Sequence, residues 1–260
     1  MDILAHNRKA WDRQSRHETS PWVKPVSANV IHAAREGQWS VILTPNKPVP
    51  KSWFGDLADT EVLALASGGG QQVPILAAAG ARVTSFDNSP VQLEKDRQVA
   101  AREDLEIRYE PGDMADLSRF DDSSFDLIFH PVSNLFVQDI EPVWQECIRV
   151  LRPGGRLLAG FMNPCIFLFD FDSIEAGNAM EVAFKLPYSD IRSLSETELK
   201  ARISAGEAME FSHTLTDQIG GQLAAGFYLA GFYEDTWSNA DFPLNTYMNS
   251  SIATLAIKPT

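Results

Sequence analysis

The chain has 260 residues, enough for one large domain or two small ones, and its 44% hydrophobic and 22% charged residues are ordinary for a globular protein. A formal net charge of -13 with no lysine- or arginine-rich segment argues against a phosphate backbone as partner, and no apolar run is long enough to span a bilayer. The opening "MDILAHNRKAWDRQSRHE" lacks the apolar core of a secretion signal, and Cys147 and Cys165 show neither metal-ligand spacing nor a disulfide framework; both read as small buried residues of a cytoplasmic protein.

In chain order, "ILAHNRKAWDRQSRH" can form an amphipathic helix and "TPNKPVPKSW" must be loop or extended chain. A regular alternation then begins at Glu61. "VLALA" is a continuous apolar run, as expected of a strand covered on both faces. "QQVPILAAAG" reads as a helix ended by Gly80, and "RVTSFD" as a second strand. Ser89 is the expected N-cap and Pro90 the first residue of the helix in "SPVQLEKDRQVAARE". "LEIRYE" and "FDLIFH" are two further strands, "EPVWQECIRVL" a helix, "RPGG" a turn and "RLLAGF" a fifth strand. Residues 163–211 lack strand signals but contain "SETELKARI", a short capped helix. "LTDQIGGQLAAG" looks helical, and "FYLAGFYED" and "SIATLAIKP" follow as an antiparallel pair closing one edge.

Strands alternating with helices imply a parallel sheet with right-handed crossovers. In such a sheet ligands sit beyond the C-terminal strand ends, where the strand order reverses. "ASGGG" falls at that place. Three adjacent glycines cost conformational entropy, but they let a ligand reach the backbone, next to the free N–H groups of a helix start. Asp87 closes the second strand at close to the spacing of a ribose-binding acid. Asp113, in "PGDMADL", ends the third strand at the same crevice, where it can accept from an adenine amino group while Met114 packs on the ring. The dinucleotide fingerprint G-x-G-x-x-G is incomplete, since Val73 stands in place of its third glycine. The set describes an adenosine ligand without requiring phosphates.

The ordered pieces "VLALASGGG", "GARVTSFDNSPVQLEKDRQVA", "GDMADL", "SFDLIFH" and "VLRPGGRLL" resemble the class I S-adenosylmethionine-dependent methyltransferases, in particular the branch acting on small molecules. The resemblance implies an α/β fold: a doubly wound, mostly parallel seven-stranded Rossmann-like sheet with an antiparallel last strand and helices on both faces. It implies one domain over 1–260, with an N-terminal helical cap over 1–60, a cofactor core over 61–162, a lid insert over 163–211 and a C-terminal helix and strand pair over 212–260. The cofactor would be S-adenosyl-L-methionine. Ser67, Gly68, Gly69 and Gly70 would take its methionine and ribose side, Asp87 the ribose hydroxyls with Asn88 beside it, and Asp113 and Met114 the adenine, with His130 on the floor near the sulfonium. The family usually carries an acid where Ala64 stands, which orients the glycine loop or the charged end of the cofactor, and a glycine where Ala66 stands.

Methyl transfer needs chiefly alignment of acceptor and methyl group, and a base only where the acceptor is protonated. The candidate catalytic side chains are His130, weighed against a structural or cofactor-contact role, and Tyr188, in the insert that would cover the site. His213 reads as a capping or surface residue. Trp11, Trp22, Trp39, Trp53 and the rings of "CIFLFDF" can line the mouth or pack a lid. No metal is expected, and the acceptor is expected to be a small molecule rather than nucleic acid, because a cap and an insert at the strand ends leave no open groove for a polymer. Two other readings stand beside this one. A nicotinamide-dependent oxidoreductase would ordinarily show the third glycine and a Tyr-x-x-x-Lys pair; an adenosine-binding module without catalysis would accommodate Ala64.

Overall fold

The computed structural model describes residues 1–18, 20–237 and 243–260. Its single sheet has seven strands: β1 (Glu61–Leu65), β2 (Arg82–Asp87), β3 (Ile107–Pro111), β4 (Phe125–His130), β5 (Leu151–Met162), β6 (Tyr228–Asp235) and β7 (Ser251–Ile257). Their order is β3-β2-β1-β4-β5-β7-β6, with β7 antiparallel to both neighbours and the other pairs parallel. The order reverses between β1 and β4, which puts the crevice beyond the C-terminal ends of those strands.

Alternation along β1 divides the core in two. Val62 and Ala64 join one cluster with Ile31, Val73 and Leu76, while Leu63 and Leu65 join another with Val143, Trp144 and Cys147. Both faces are therefore dry, and each fully buried Leu or Val contributes about 1.5–3 kcal/mol. The first face is covered by α2 (Ala28–Arg35) and α3 (Gln72–Ala78), and the second by α5 (Glu141–Val150). Beside them α4 (Pro90–Glu103) begins as expected, with Ser89 accepting from the N–H of Gln92 and Pro90 in the first turn. Preceding all of these, α1 (Ile3–His17) is capped by Asp2 and packs along α4, where Ser89 donates to Asp12 and Lys95 pairs with Glu18.

After β5 the chain makes α6 (Phe171–Glu175), α7 (Asp190–Ser193) and α8 (Glu196–Ala205), the last with a full Ser195–Glu198 capping box. The "IGG" segment is a π turn over Thr216–Gly220 that runs into α9 (Gly221–Ala225). Two expectations need correcting. "RPGG" is not a turn before the fifth strand but a kink inside β5, with Gly154 at φ 77° and a register shift against β4 between Phe125 and Leu127. Cys147 is buried as expected, but Cys165 is exposed in the short turn that follows β5. Among the described residues no helix is long and apolar enough to cross a membrane.

Candidate functional site

A cavity of about 510 Å³ opens at the C-terminal strand ends. Three successive strand tips supply its floor: Ala66, Ser67 and Gly68 after β1, Asp87 and Asn88 after β2, and Asp113 and Met114 after β3.

The glycine loop is shaped by two neighbours. Gly68 N donates to Asp87 Oδ2 at 3.0 Å, and a Cβ on Gly68 would come within 2.8 Å of Gln92 Cβ. Gly69 stands at φ 130°, and a Cβ there would lie 2.5 Å from the backbone oxygen of Trp22, so no side chain fits. The other oxygen of Asp87 accepts from Ser89 N at 2.8 Å. Burial raises the Asp87 carboxyl to about 6, with the two N–H donors opposing the shift and Asp12 adding to it. Each Asp87 oxygen holds one N–H and keeps acceptor capacity toward the cavity.

The place where the family acid was missed is now clear. Ala64 is fully buried, in register with Ser85 on β2 and Phe129 on β4, inside an apolar cluster. The loop's second carboxylate comes instead from α4. Asp96 Oδ1 accepts from Gly70 N and Oδ2 from the Ser85 hydroxyl, both at 2.7 Å, and burial raises its carboxyl to about 7. The signal was present in the sequence: Asp96 sits on the same helix stripe as Leu93, Val99 and Ala100, and a charge on an apolar stripe needs a partner.

The remaining expected residues divide into those that reach the cavity and those that do not. Asp113 lines it while accepting from Ala115 N in a tight turn, and Met114 lines it beside Ala115. Asn88 lines it too, but its side chain is engaged by α1, donating to Leu4 O and accepting from Arg8. Ser67 is buried on the wall. Gly69 and Gly70 face away, toward the segment at Trp22 and Pro25.

His130 is not on the floor of the cavity. It is fully buried behind it, with Nδ1 3.0 Å from Leu65 O and Nε2 2.5 Å from Asn134 Oδ1, and burial lowers its pKa. Tyr188 does not line the cavity either. Its hydroxyl donates to Asp190 at 2.6 Å and its ring stacks on Phe167, so it serves the core of the insert. His213 is neither cap nor surface residue, for its buried Nε2 donates to Asn134 O and Val137 O. Of the tryptophans, Trp11 and Trp22 line the cavity, whereas Trp39 packs on Phe54 and Trp53 on Tyr233.

Two wall residues were not anticipated. Asn7 ties α1 to the end of the insert: its amide donates to Met209 O and Phe136 O and its oxygen accepts from Met209 N. Glu210 follows Met209 on the cavity wall, and burial together with Asp190 raises its carboxyl to about 7. Neither carries a local motif.

The wall fits a positively charged nucleoside. Its charged members among the described residues are four carboxylates, those of Asp87, Asp113, Asp139 and Glu210, with no Lys, Arg or His. Among the described residues Ser67 Oγ and Gln92 Oε1 are buried on it without a hydrogen-bond partner, a costly arrangement that a polar ligand group would relieve.

Known proteins resemble the chain in sequence and in fold. Residues 63–159 match the methyltransferase domain family. Over 257 residues the chain is 47% identical to YbaJ, an uncharacterized methyltransferase of Bacillus subtilis strain 168, with 98% of each chain covered. A demethylmenaquinone methyltransferase of Clavibacter sepedonicus is 36% identical over 102 residues, 39% of this chain and 41% of that one. Among solved structures, an S-adenosylmethionine-dependent methyltransferase of Mesorhizobium loti superposes with a TM-score of 0.61 at 17% identity, over 80% of this chain and 95% of that one.

Proposed function

The chain belongs to the class I S-adenosylmethionine-dependent methyltransferases, and from that membership we propose that its cavity takes S-adenosyl-L-methionine at the tips of β1–β3 and a small-molecule acceptor beneath α1 and the insert. What carries this reading is that Gly68, Asp87 and Asp113, from three separate strand ends, border one cavity.

Asp87 accepts the ribose hydroxyls with the lone pairs its two backbone donors leave free. Asp113 accepts from the adenine amino group, and Met114 packs on the ring. Ser67 Oγ and Gln92 Oε1 meet polar atoms of the ligand. Gly69 and Gly70 act by shaping the loop, which Asp96 holds through Gly70 N. When bound, the sulfonium supplies an electrophilic methyl group whose leaving group is a neutral thioether. The protein's part is to hold the acceptor in line, exclude water and present a negative wall to a cation. The cavity is roofed by α1 through Asn7, which suits a small acceptor better than a polymer. The match to the demethylmenaquinone enzyme covers too little of either chain to carry its acceptor over.

Thermal unfolding with candidate ligands tests the reading. S-adenosylhomocysteine is expected to raise the melting temperature, and to do so far less in Asp87→Ala; NAD is expected to leave it unchanged. Stabilisation by NAD and not by S-adenosylhomocysteine would overturn the assignment.

A further inference from the structure

The polar side chains around the roofed end of the cavity are nearly all engaged. Asn7 is held by backbone of residues 136 and 209, Asn88 by α1, and Asp139 Oδ1 accepts from Glu141 N at the start of α5. Apart from the exposed Gln138, the rest of this wall is apolar or aromatic, with Ile3, Leu4, Trp11, Leu135, Phe136 and Met162. Trp11 and Phe136 meet edge to face at 5.1 Å.

Glu210 differs from all of these. Among the described residues its carboxylate makes no hydrogen bond and no ion pair, yet its backbone is held on both sides. Glu210 N donates to Asp190 Oδ2, Asp190 N donates back to Glu210 O, and the next residue, Phe211, donates to Leu135 O. A half-buried carboxylate is thus fixed on an apolar wall without a direct partner. Arg202 favours its charged form from a distance, but the guanidinium pairs, loosely, with Asp190, Glu207 and Asp172. These groups and Tyr188 are the ionisable neighbours on the protein side, and the cavity side offers carboxylates alone.

We propose that Glu210 holds the acceptor by its charge: a small molecule with an apolar or aromatic body and one protonated amino group, which pairs with the carboxylate and gives it a proton. This rests on the methyltransferase reading above. In the transfer of the proton an N–H bond of the ammonium breaks, its electron pair stays on nitrogen, and the proton moves to an Oε of Glu210. A neutral amine and a neutral carboxylic acid result. Only the neutral amine has the lone pair that a methyl acceptor needs. The apolar wall favours the exchange, because burial raises a carboxyl and lowers an ammonium. An acidic cavity without a cation disfavours acceptors bearing carboxylate or phosphate.

The test measures binding of three probes of similar shape, phenethylamine, 2-phenylethanol and 3-phenylpropionate, to protein saturated with S-adenosylhomocysteine. Wild-type, Glu210→Gln and Glu210→Asp proteins are compared by calorimetry. The amine is expected to bind wild type at least tenfold tighter than the alcohol, with the carboxylate weakest. Its affinity should rise from pH 5.5 to 8 as Glu210 ionises. The Gln variant should lose the preference and the pH dependence, and the Asp variant should keep part of both. An amine that binds wild type no better than the alcohol, or a preference that survives in Glu210→Gln, overturns the proposal. If S-adenosylhomocysteine itself fails to bind wild type, the methyltransferase reading falls and this inference with it; if it binds and the amine preference is missing, this inference alone falls.

Discussion

At the floor of the cavity, contacts are local in the chain: Gly68 meets Asp87 across 19 positions and Gly70 meets Asp96 across 26. At the roof they are remote, since Asn7 meets Met209 across 202 positions. The floor is a consequence of one strand–loop–helix–strand unit, and the parallel register of β1 on β2 brings its carboxylate to its glycines. The roof forms only after the whole chain has closed. The two should therefore fail separately: damage to the floor should abolish cofactor binding in a folded protein, and damage to the roof should loosen the cover over an intact floor.

Asp87→Ala is the strongest attack on the floor. It removes the acceptor of two part-buried N–H groups and the proposed partner of the ribose, and charge-assisted bonds of this kind contribute roughly 1.5–3 kcal/mol. The affinity for S-adenosylhomocysteine should drop about a hundredfold, or about 2.7 kcal/mol, by calorimetry. Should Asn7→Ala cost as much, floor and roof are one unit and the contrast is wrong.

For the roof the expected effect of Asn7→Ala is structural. Losing three hydrogen bonds to backbone, two of them buried, should destabilise the docking of α1 by about 2 kcal/mol. In hydrogen exchange the amides of α1 and residues 207–211 should exchange about thirtyfold faster, while those of β1–β5 keep their protection. Uniform loss of protection across the sheet would contradict independent failure.

The same contrast explains what could be read from sequence. The strands, α4 with its Ser89 cap, and the order of Gly68, Asp87 and Asp113 all follow from patterns within a short window. His130 misled because a histidine at a strand end looks like a site residue; whether it turns to the crevice or to Asn134 depends on a loop that the strand pattern does not describe. Tyr188 misled in the same way, since only the folded insert brings Asp190 and Phe167 to it. Asp96 was legible in principle, as a charge on a buried stripe. Asn7 and Glu210 were not, because their neighbours are set by tertiary closure and neither lies in a recurrent motif.

A smaller effect should appear with pH. Asp87 titrates near 6 in the folded protein, above the 3.8 of a free aspartate, because burial disfavours its charge. The ionised form accepts hydrogen bonds from hydroxyls more strongly than the acid does, so affinity for S-adenosylhomocysteine should be level above pH 7 and fall below 6. The fold itself should respond in the opposite sense. Raised carboxyls at Asp87 and Asp96 mean that the native state binds more protons than the unfolded one, so their contribution to stability is full below about pH 4 and is lost as pH rises through about 6 and 7. In Asp87→Asn the acid-side loss of affinity should vanish; if it persists unchanged, another group controls it.

The smallest effect concerns Ala66, where the family usually has glycine. Its φ of 49° is left-handed, a conformation that costs an L-residue about 1 kcal/mol or a little more. The loop keeps that geometry because Ala66 N donates to Phe86 O at 2.7 Å, tying the end of β1 to β2. Ala66→Gly removes the steric cost but frees the unfolded chain, which takes back roughly 0.5–1 kcal/mol. The balance should favour glycine by less than about 1 kcal/mol, visible as a rise of about 1–3 °C in melting temperature. Since Ala66 is half-buried on the cavity wall and belongs to neither apolar cluster of the core, little packing is lost to obscure the result. A fall in melting temperature would mean that the methyl supports the loop, and that the floor depends on contacts beyond its own strand–loop–helix unit.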